Sequence, residues 1–222
     1  MFRDAALVAG KDLRIEWRSR VGINQVLPLA MLILLLFAFA LDPSRGVLLK
    51  ATPGLFWVAV LFSGTMAIQR SFTLESADGT RDALRLSSLD PAGVFLGKFG
   101  AIAAQLLALE VLLLAGVALF YSARLDGFGL LVLTCVVATA GIAAAGTLFG
   151  VLAAGLRVRD TLLPLLLLPA LAPVLIGSTR AFEAALDGDT ASGWPWVGLL
   201  TIFALVYIGL GAASFGSLLE ES

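Results

Sequence analysis

The sequence has no histidine and one cysteine, Cys135. Without histidine the chain lacks the commonest metal ligand, the usual haem axial ligand and the usual proton shuttle. A Ser-His-Asp arrangement is likewise excluded. One cysteine excludes a disulfide within the chain, and Cys135 lies inside an apolar run, where a thiol packs as a small hydrophobe. Charge is scarce: 14% of residues, against about 25% in soluble domains. The charges nearly cancel, 15 Lys and Arg against 16 Asp and Glu, so the totals point to no nucleic acid. No two carboxylates lie close together within an apolar run, which argues against an enzyme. Gly93-Val94-Phe95-Leu96-Gly97-Lys98-Phe99 faintly resembles a phosphate-binding loop. It has one residue too few between the glycines, no Ser or Thr after the lysine and no preceding strand. ATP hydrolysis therefore has to come from another chain.

What the sequence does have is apolar length. Hydrophobic residues make up 59% of the chain and the mean hydropathy is +0.99. A bilayer core of about 30 Å takes about 20 helical residues. Six uncharged or nearly uncharged runs meet that length, at about 21–41, 51–69, 99–123, 127–156, 161–179 and 195–219. The expected fold is all-α: one transmembrane domain over 1–222 with six spans. Ala38-Phe39-Ala40 imitates a signal-peptide cleavage site. The charged lead-in and the apolar run are both too long for one, so an uncleaved first span is expected.

Within residues 1–20, Phe2, Ala6, Ala9, Leu13 and Trp17 form one helical stripe, and Arg3, Lys11, Arg14 and Arg18 line another face. That pattern suits a helix lying in the membrane interface. Trp57 is placed toward the outer interface, and Trp194 and Trp196 read as interface anchors of the last span. Gly141, Gly146, Gly150 and Gly155 in the fourth span suit close helix contact. Pro164, Pro169 and Pro173 predict a kinked or broken fifth span. Glu110 is the one ionisable residue deep in a span, where a charge costs about 2.5–3.5 kcal/mol. Two roles stay open for it: a substrate-path or proton-relay group, or a carboxyl bonded to a neighbouring helix.

With both termini cytoplasmic, the cytoplasmic segments hold eleven of the Lys and Arg residues: Arg3, Lys11, Arg14, Arg18, Arg20, Arg70, Arg81, Arg85, Lys98, Arg157 and Arg159. Arg45, Lys50, Arg124 and Arg180 fall on the other side. This bias places the loop 70–98 in the cytoplasm. Asp78-Gly79-Thr80 is a turn that can cap a helix, and Asp82 falls in its first turn, so Arg81–Leu89 reads as a short helix. Asp90-Pro91 is a second helix start.

The loop residues Glu75, Asp78-Gly79-Thr80, Leu84-Arg85-Leu86, Pro91 and Gly97-Lys98 resemble the signature of type-2 ABC exporter permeases. Thr52-Pro53-Gly54-Leu55-Phe56-Trp57-Val58-Ala59 and Leu168-Pro169-Ala170-Leu171-Ala172-Pro173-Val174-Leu175 are similar to the CcmB family, haem exporter protein B of cytochrome c maturation. The resemblance covers nearly the whole chain. It implies a multi-pass permease subunit of the bacterial inner membrane, acting as a homodimer with a CcmA-like ATPase and with CcmC-, CcmD- and CcmE-like proteins. It further implies a coupling helix at about Asp78–Leu89, with Glu75, Asp78, Gly79, Thr80, Arg81, Asp82, Arg85 and Leu86 at the ATPase interface. Short re-entrant helices are implied over Ser178–Gly193. No cofactor or metal is implied on this chain; ATP would bind the partner.

The cargo is either haem itself or a haem-loaded chaperone released at the expense of ATP. Direct haem ligation would fall to Met31, Met66, Tyr121, Tyr207 or Cys135. Other functions fit the same residues: a type-2 permease for a lipid, glycan or drug, a membrane scaffold without transport, or a proton-coupled transporter built around Glu110.

Overall fold

The computed structural model describes residues 1–20, 24, 26–41, 46–77, 89–120, 127–154 and 159–221. They form helices α1 (Phe2–Ser19), α2 (Leu27–Ala40), α3 (Val47–Ala77), α4 (Pro91–Phe120), α5 (Phe128–Ala154), α6 (Arg159–Leu186) and α7 (Thr190–Glu221). The expected all-α class holds. Five helices, α3 to α7, are long and apolar enough to cross a membrane. The first expected span is represented by α2, whose 14 residues rise about 21 Å against a core of about 30 Å. Pro28 lies in its first turn, where a missing N–H costs no helical bond.

Helix α5 is the centre of the bundle and packs on α3, α4, α6 and α7. Its small residues permit this. A Cβ at Gly146 would lie 2.1 Å from Ile68 Cδ1, and one at Gly150 2.2 Å from the Phe72 ring. Gly141 faces Phe203 of α7 at 3.1 Å. The expected close packing is therefore present at these three glycines; Gly155 lies outside the described residues.

Two expectations about the C-terminal third are corrected. Pro164, Pro169 and Pro173 all lie inside one continuous α6 rather than breaking it. Each proline removes only one donor, and Pro169 and Pro173 are on the exposed side, while Leu163, Leu167, Leu171 and Val174 keep the buried stripe intact. The segment Ser178–Gly193 does not form re-entrant helices. Helix α6 runs on to Leu186, and Asp187-Gly188-Asp189 turns directly into α7. Gly188 takes φ +74°, the left-handed conformation that makes the turn tight.

The extension of α6 is held by packing. Phe182 lies 4.8 Å from Phe56 and 6.5 Å from Trp57, ring to ring. The Gly127 N–H donates to the Ala185 carbonyl at 2.9 Å. Trp57 is accordingly buried in this cluster. Trp194 is exposed and Trp196 half-buried.

Candidate functional site

Both helices that flank the 70–98 loop are longer than the hydropathy suggested. Helix α3 continues through Arg70 to Ala77, and α4 starts at Pro91. Arg70, Ser71, Phe72 and Thr73 are thus helical, as are Gly93 to Lys98. The expected start signal is used: the Asp90 carboxylate accepts the Ala92 N–H at 3.2 Å, with Pro91 at the first helical position. Of the expected coupling residues, Glu75 lies in the last turns of α3. Asp78, Gly79, Thr80, Arg81, Asp82, Arg85 and Leu86 lie outside the described residues.

Helix α1 is strapped across the base of these two helices. Its packing face is acidic and small: Asp4, Ala5, Val8, Asp12 and Glu16, spaced at about one turn. On α4, Gly93 and Gly97 give the room. A Cβ at Gly93 would lie 2.8 Å from the Met1 carbonyl, and one at Gly97 2.6 Å from Val8 Cβ and 2.7 Å from the Ala5 carbonyl. These are backbone contacts or contacts next to it, so no side-chain rotation relieves them. The stretch that imitates a phosphate loop is a helix–helix contact.

Charge fixes the register. Lys98 is buried, 1% exposed, with Nζ 3.5 Å from Asp12 Oδ2 of α1, 3.4 Å from Ser71 Oγ of α3 and 4.9 Å from the centre of the Phe72 ring. Arg70 Nε donates to Glu16 Oε2 at 3.2 Å. The Asp90 N–H donates to Asp4 Oδ2 at 3.4 Å. One helix thus ties both ends of the loop together. The sequence pattern for this was available: acids at 4, 12 and 16 share a face.

The Phe2–Trp17 stripe lies beside this face: Ala9, Leu13 and Trp17 each follow Val8, Asp12 and Glu16 by one position, about 100° round the helix, which leaves the two ends of the stripe uncovered. Phe2 is 79% and Trp17 81% exposed.

Glu110 is buried between α4 and α5, where Thr139 Oγ1 donates to its Oε1. The Cys135 thiol, one turn away on α5, is also within its hydrogen-bonding reach. Glu110 Oε2 has no hydrogen-bond partner among the described residues. The geometry matches a carboxyl bonded to a neighbouring helix. Replacing Glu110 with Gln keeps an acceptor for Thr139 and should leave function and melting temperature near wild type. Glu110→Ala strands the hydroxyl and opens a cavity, and should lower stability by about 2–3 kcal/mol. Thermal unfolding in detergent measures both; loss of function in Glu110→Gln at normal stability would indicate a proton relay instead.

The residues considered for haem ligation do not converge. Met31 packs against Gly116, Cys135 sits beside Glu110, and Tyr207 stacks on Phe203 at 4.5 Å. Met66 lines a separate cavity, and Tyr121 lies outside the described residues. Among the described residues no group of His, Cys, Asp and Glu could hold a metal ion.

A helical bundle with five candidate spans among the described residues, and an amphipathic α1 tied by charge to the facing ends of α3 and α4, defines a multi-pass membrane protein. Comparison with known proteins specifies which. The family model for CcmB protein matches residues 4–221, and the chain belongs to the CcmB family. It is 30% identical over 201 residues to heme exporter protein B of Haemophilus influenzae, covering 90% of this chain and 88% of that protein. It is 28% identical over 214 residues to heme exporter protein B of Paracoccus denitrificans, covering 92% and 94%. Heme exporter protein B of Pseudomonas aeruginosa is 28% identical over 207 residues, 90% of either chain.

Proposed function

We propose that this chain is the membrane subunit of an ABC transporter for c-type cytochrome biogenesis, driven by ATP hydrolysed on a partner chain. The observation that carries this, given the family, is the brace at the base of the α3–α4 connection. A force applied at residues 78–88 meets two helices that are continuous from that connection into the apolar bundle. Helix α1, Lys98 and Arg70 make the two helices move as one body, so a push on the connection is delivered to the spans rather than absorbed locally.

In this account Glu75, Asp78, Gly79, Thr80, Arg81, Asp82, Arg85 and Leu86 meet the ATPase, α1 lies in the cytoplasmic interface of the inner membrane with its Phe2–Trp17 stripe in lipid, and α2 with its flanks completes a sixth span. Two copies of the chain assemble with a CcmA-like ATPase, and CcmC-, CcmD- and CcmE-like proteins are the further partners. The scatter of Met31, Met66, Cys135 and Tyr207 favours release of a haem-loaded chaperone over passage of haem along this chain. Deleting the gene should abolish holo-cytochrome c, as read by haem-stained gels of membranes, while leaving b-type cytochromes intact, as read by reduced-minus-oxidised absorption spectra. Normal holo-cytochrome c in the deletion strain would exclude the assignment and favour a permease for another cargo.

A further inference from the structure

Between α1, α2, α3 and α4 lies a cavity of about 420 Å³, within the range of small-ligand sites, about 300–1,000 Å³. Its two ends differ in chemistry. Glu16, Arg20 and Arg70 line it near the C-terminus of α1, and Leu109 and Leu112 line it further along α4, with Leu106 beside Gln105. Gln105 lies seven residues or about 10 Å along α4 from Leu112. Arg70 already pairs with Glu16 at 3.2 Å. Arg20 is exposed and has no acidic partner among the described residues. Among the described residues, the polar end therefore holds two arginines against one glutamate, above an apolar slot.

Ala108 and Leu112 are exposed, so the slot opens on the side of the bundle, where an apolar face meets the bilayer. The polar end stands at the C-terminus of α1, level with the exposed Trp17. We propose that this cavity holds an anionic phospholipid, with its phosphate at Arg20 and Arg70 and an acyl chain along Leu106 and Leu109. A flat macrocycle is less suited: the walls offer one aromatic ring, that of the exposed Trp17, and one soft ligand, Met66.

The placement of the polar end at the lipid headgroups rests on the reading of α1 given above; the affinities themselves do not. The full-length protein in detergent is titrated by native mass spectrometry with dioleoyl phosphatidylglycerol, dioleoyl phosphatidylcholine, inorganic phosphate and haemin. Phosphatidylglycerol should bind best, and Arg20→Gln should weaken it about fivefold and weaken phosphatidylcholine, whose phosphate is offset by its own choline cation, by less. Lys50→Gln, at the opposite end of α3, should change nothing. Leu109→Trp, which fills the slot, should weaken both lipids and serves if Arg20→Gln fails to fold. Equal affinity for the two lipids, an unaffected Arg20→Gln protein, phosphate binding as tightly as the lipid, or haemin displacing phosphatidylglycerol would each overturn the proposal. The readout needs no ATPase, so normal holo-cytochrome c after gene deletion would overturn the assignment above without touching this one.

Discussion

Replacing Leu86 with Asp is expected to abolish holo-cytochrome c formation while the protein still inserts in the membrane at normal abundance. Leu86 is the apolar residue at the centre of the proposed coupling segment, and an apolar anchor in a desolvated contact typically contributes at least 2 kcal/mol to an interface. An aspartate there loses that contact and adds a charge to be desolvated, together enough to reduce engagement about a hundredfold. Arg85→Asp should act in the same direction by reversing a charge at the same surface. Both positions belong to the charged stretch between two apolar runs rather than to a run itself, so insertion should be unaffected. Immunoblots of the membrane fraction and haem-stained gels separate the two quantities. Normal cytochrome c in both variants would remove the coupling role from this segment.

The second large effect is expected at the brace. Gly97→Leu places a side chain where Val8 Cβ and the Ala5 carbonyl stand 2.6 and 2.7 Å from a Cβ. Overpacking against backbone costs about 1–3 kcal/mol, here at the upper end because α1 cannot recede without losing its ion pairs. Lys98→Ala removes the buried cation 3.5 Å from Asp12 Oδ2 and leaves that carboxylate to Lys11 alone, which pairs with Oδ1 at 2.8 Å, a loss of about 1–3 kcal/mol. Removing Asp12 as well relieves that penalty. The double variant Asp12→Ala with Lys98→Ala should therefore be about 1–3 kcal/mol more stable than the sum of the single losses predicts. Function tests the mechanical role separately. Each single variant, even under conditions where it stays folded, should retain ATPase activity in the complex and lose cytochrome c assembly. Additive losses in the cycle would mean that Lys98 and Asp12 do not act on each other.

The sequence showed the apolar runs from α3 onward because burial in lipid demands uncharged residues of a set length, and hydropathy reports that demand directly. It also showed the start of α4, since Asp90-Pro91 is a local capping signal that needs no tertiary partner. Helix length beyond the membrane was not visible in the same way. Arg70 lowers the hydropathy without lowering helix propensity, so the last turns of α3 looked like loop. Proline gave the opposite error. Pro169 and Pro173 look like breakers, yet the leucines on the other side of α6 pack well enough to carry the helix through them.

The site itself was the least legible. Gly93 and Gly97 have the spacing of a close helix contact, but their partner, α1, lies about ninety positions away. The acids of α1 gain meaning only once Lys98 and Arg70 are seen opposite them. Glu110 stands out as an isolated charge, whereas Thr139, which donates to one of its oxygens, is one of several unremarkable threonines on α5.

The most direct measurement is the ATPase turnover of the complex purified through a tag on this chain. The tagged wild-type protein should bring down an ABC ATPase whose hydrolysis rate falls when this chain is stripped away, and the Leu86→Asp complex should hydrolyse ATP without supporting cytochrome c assembly. Recovery of the chain with no ATPase, or an ATPase whose turnover is the same with and without it, would contradict a role in coupling and leave a passive membrane scaffold.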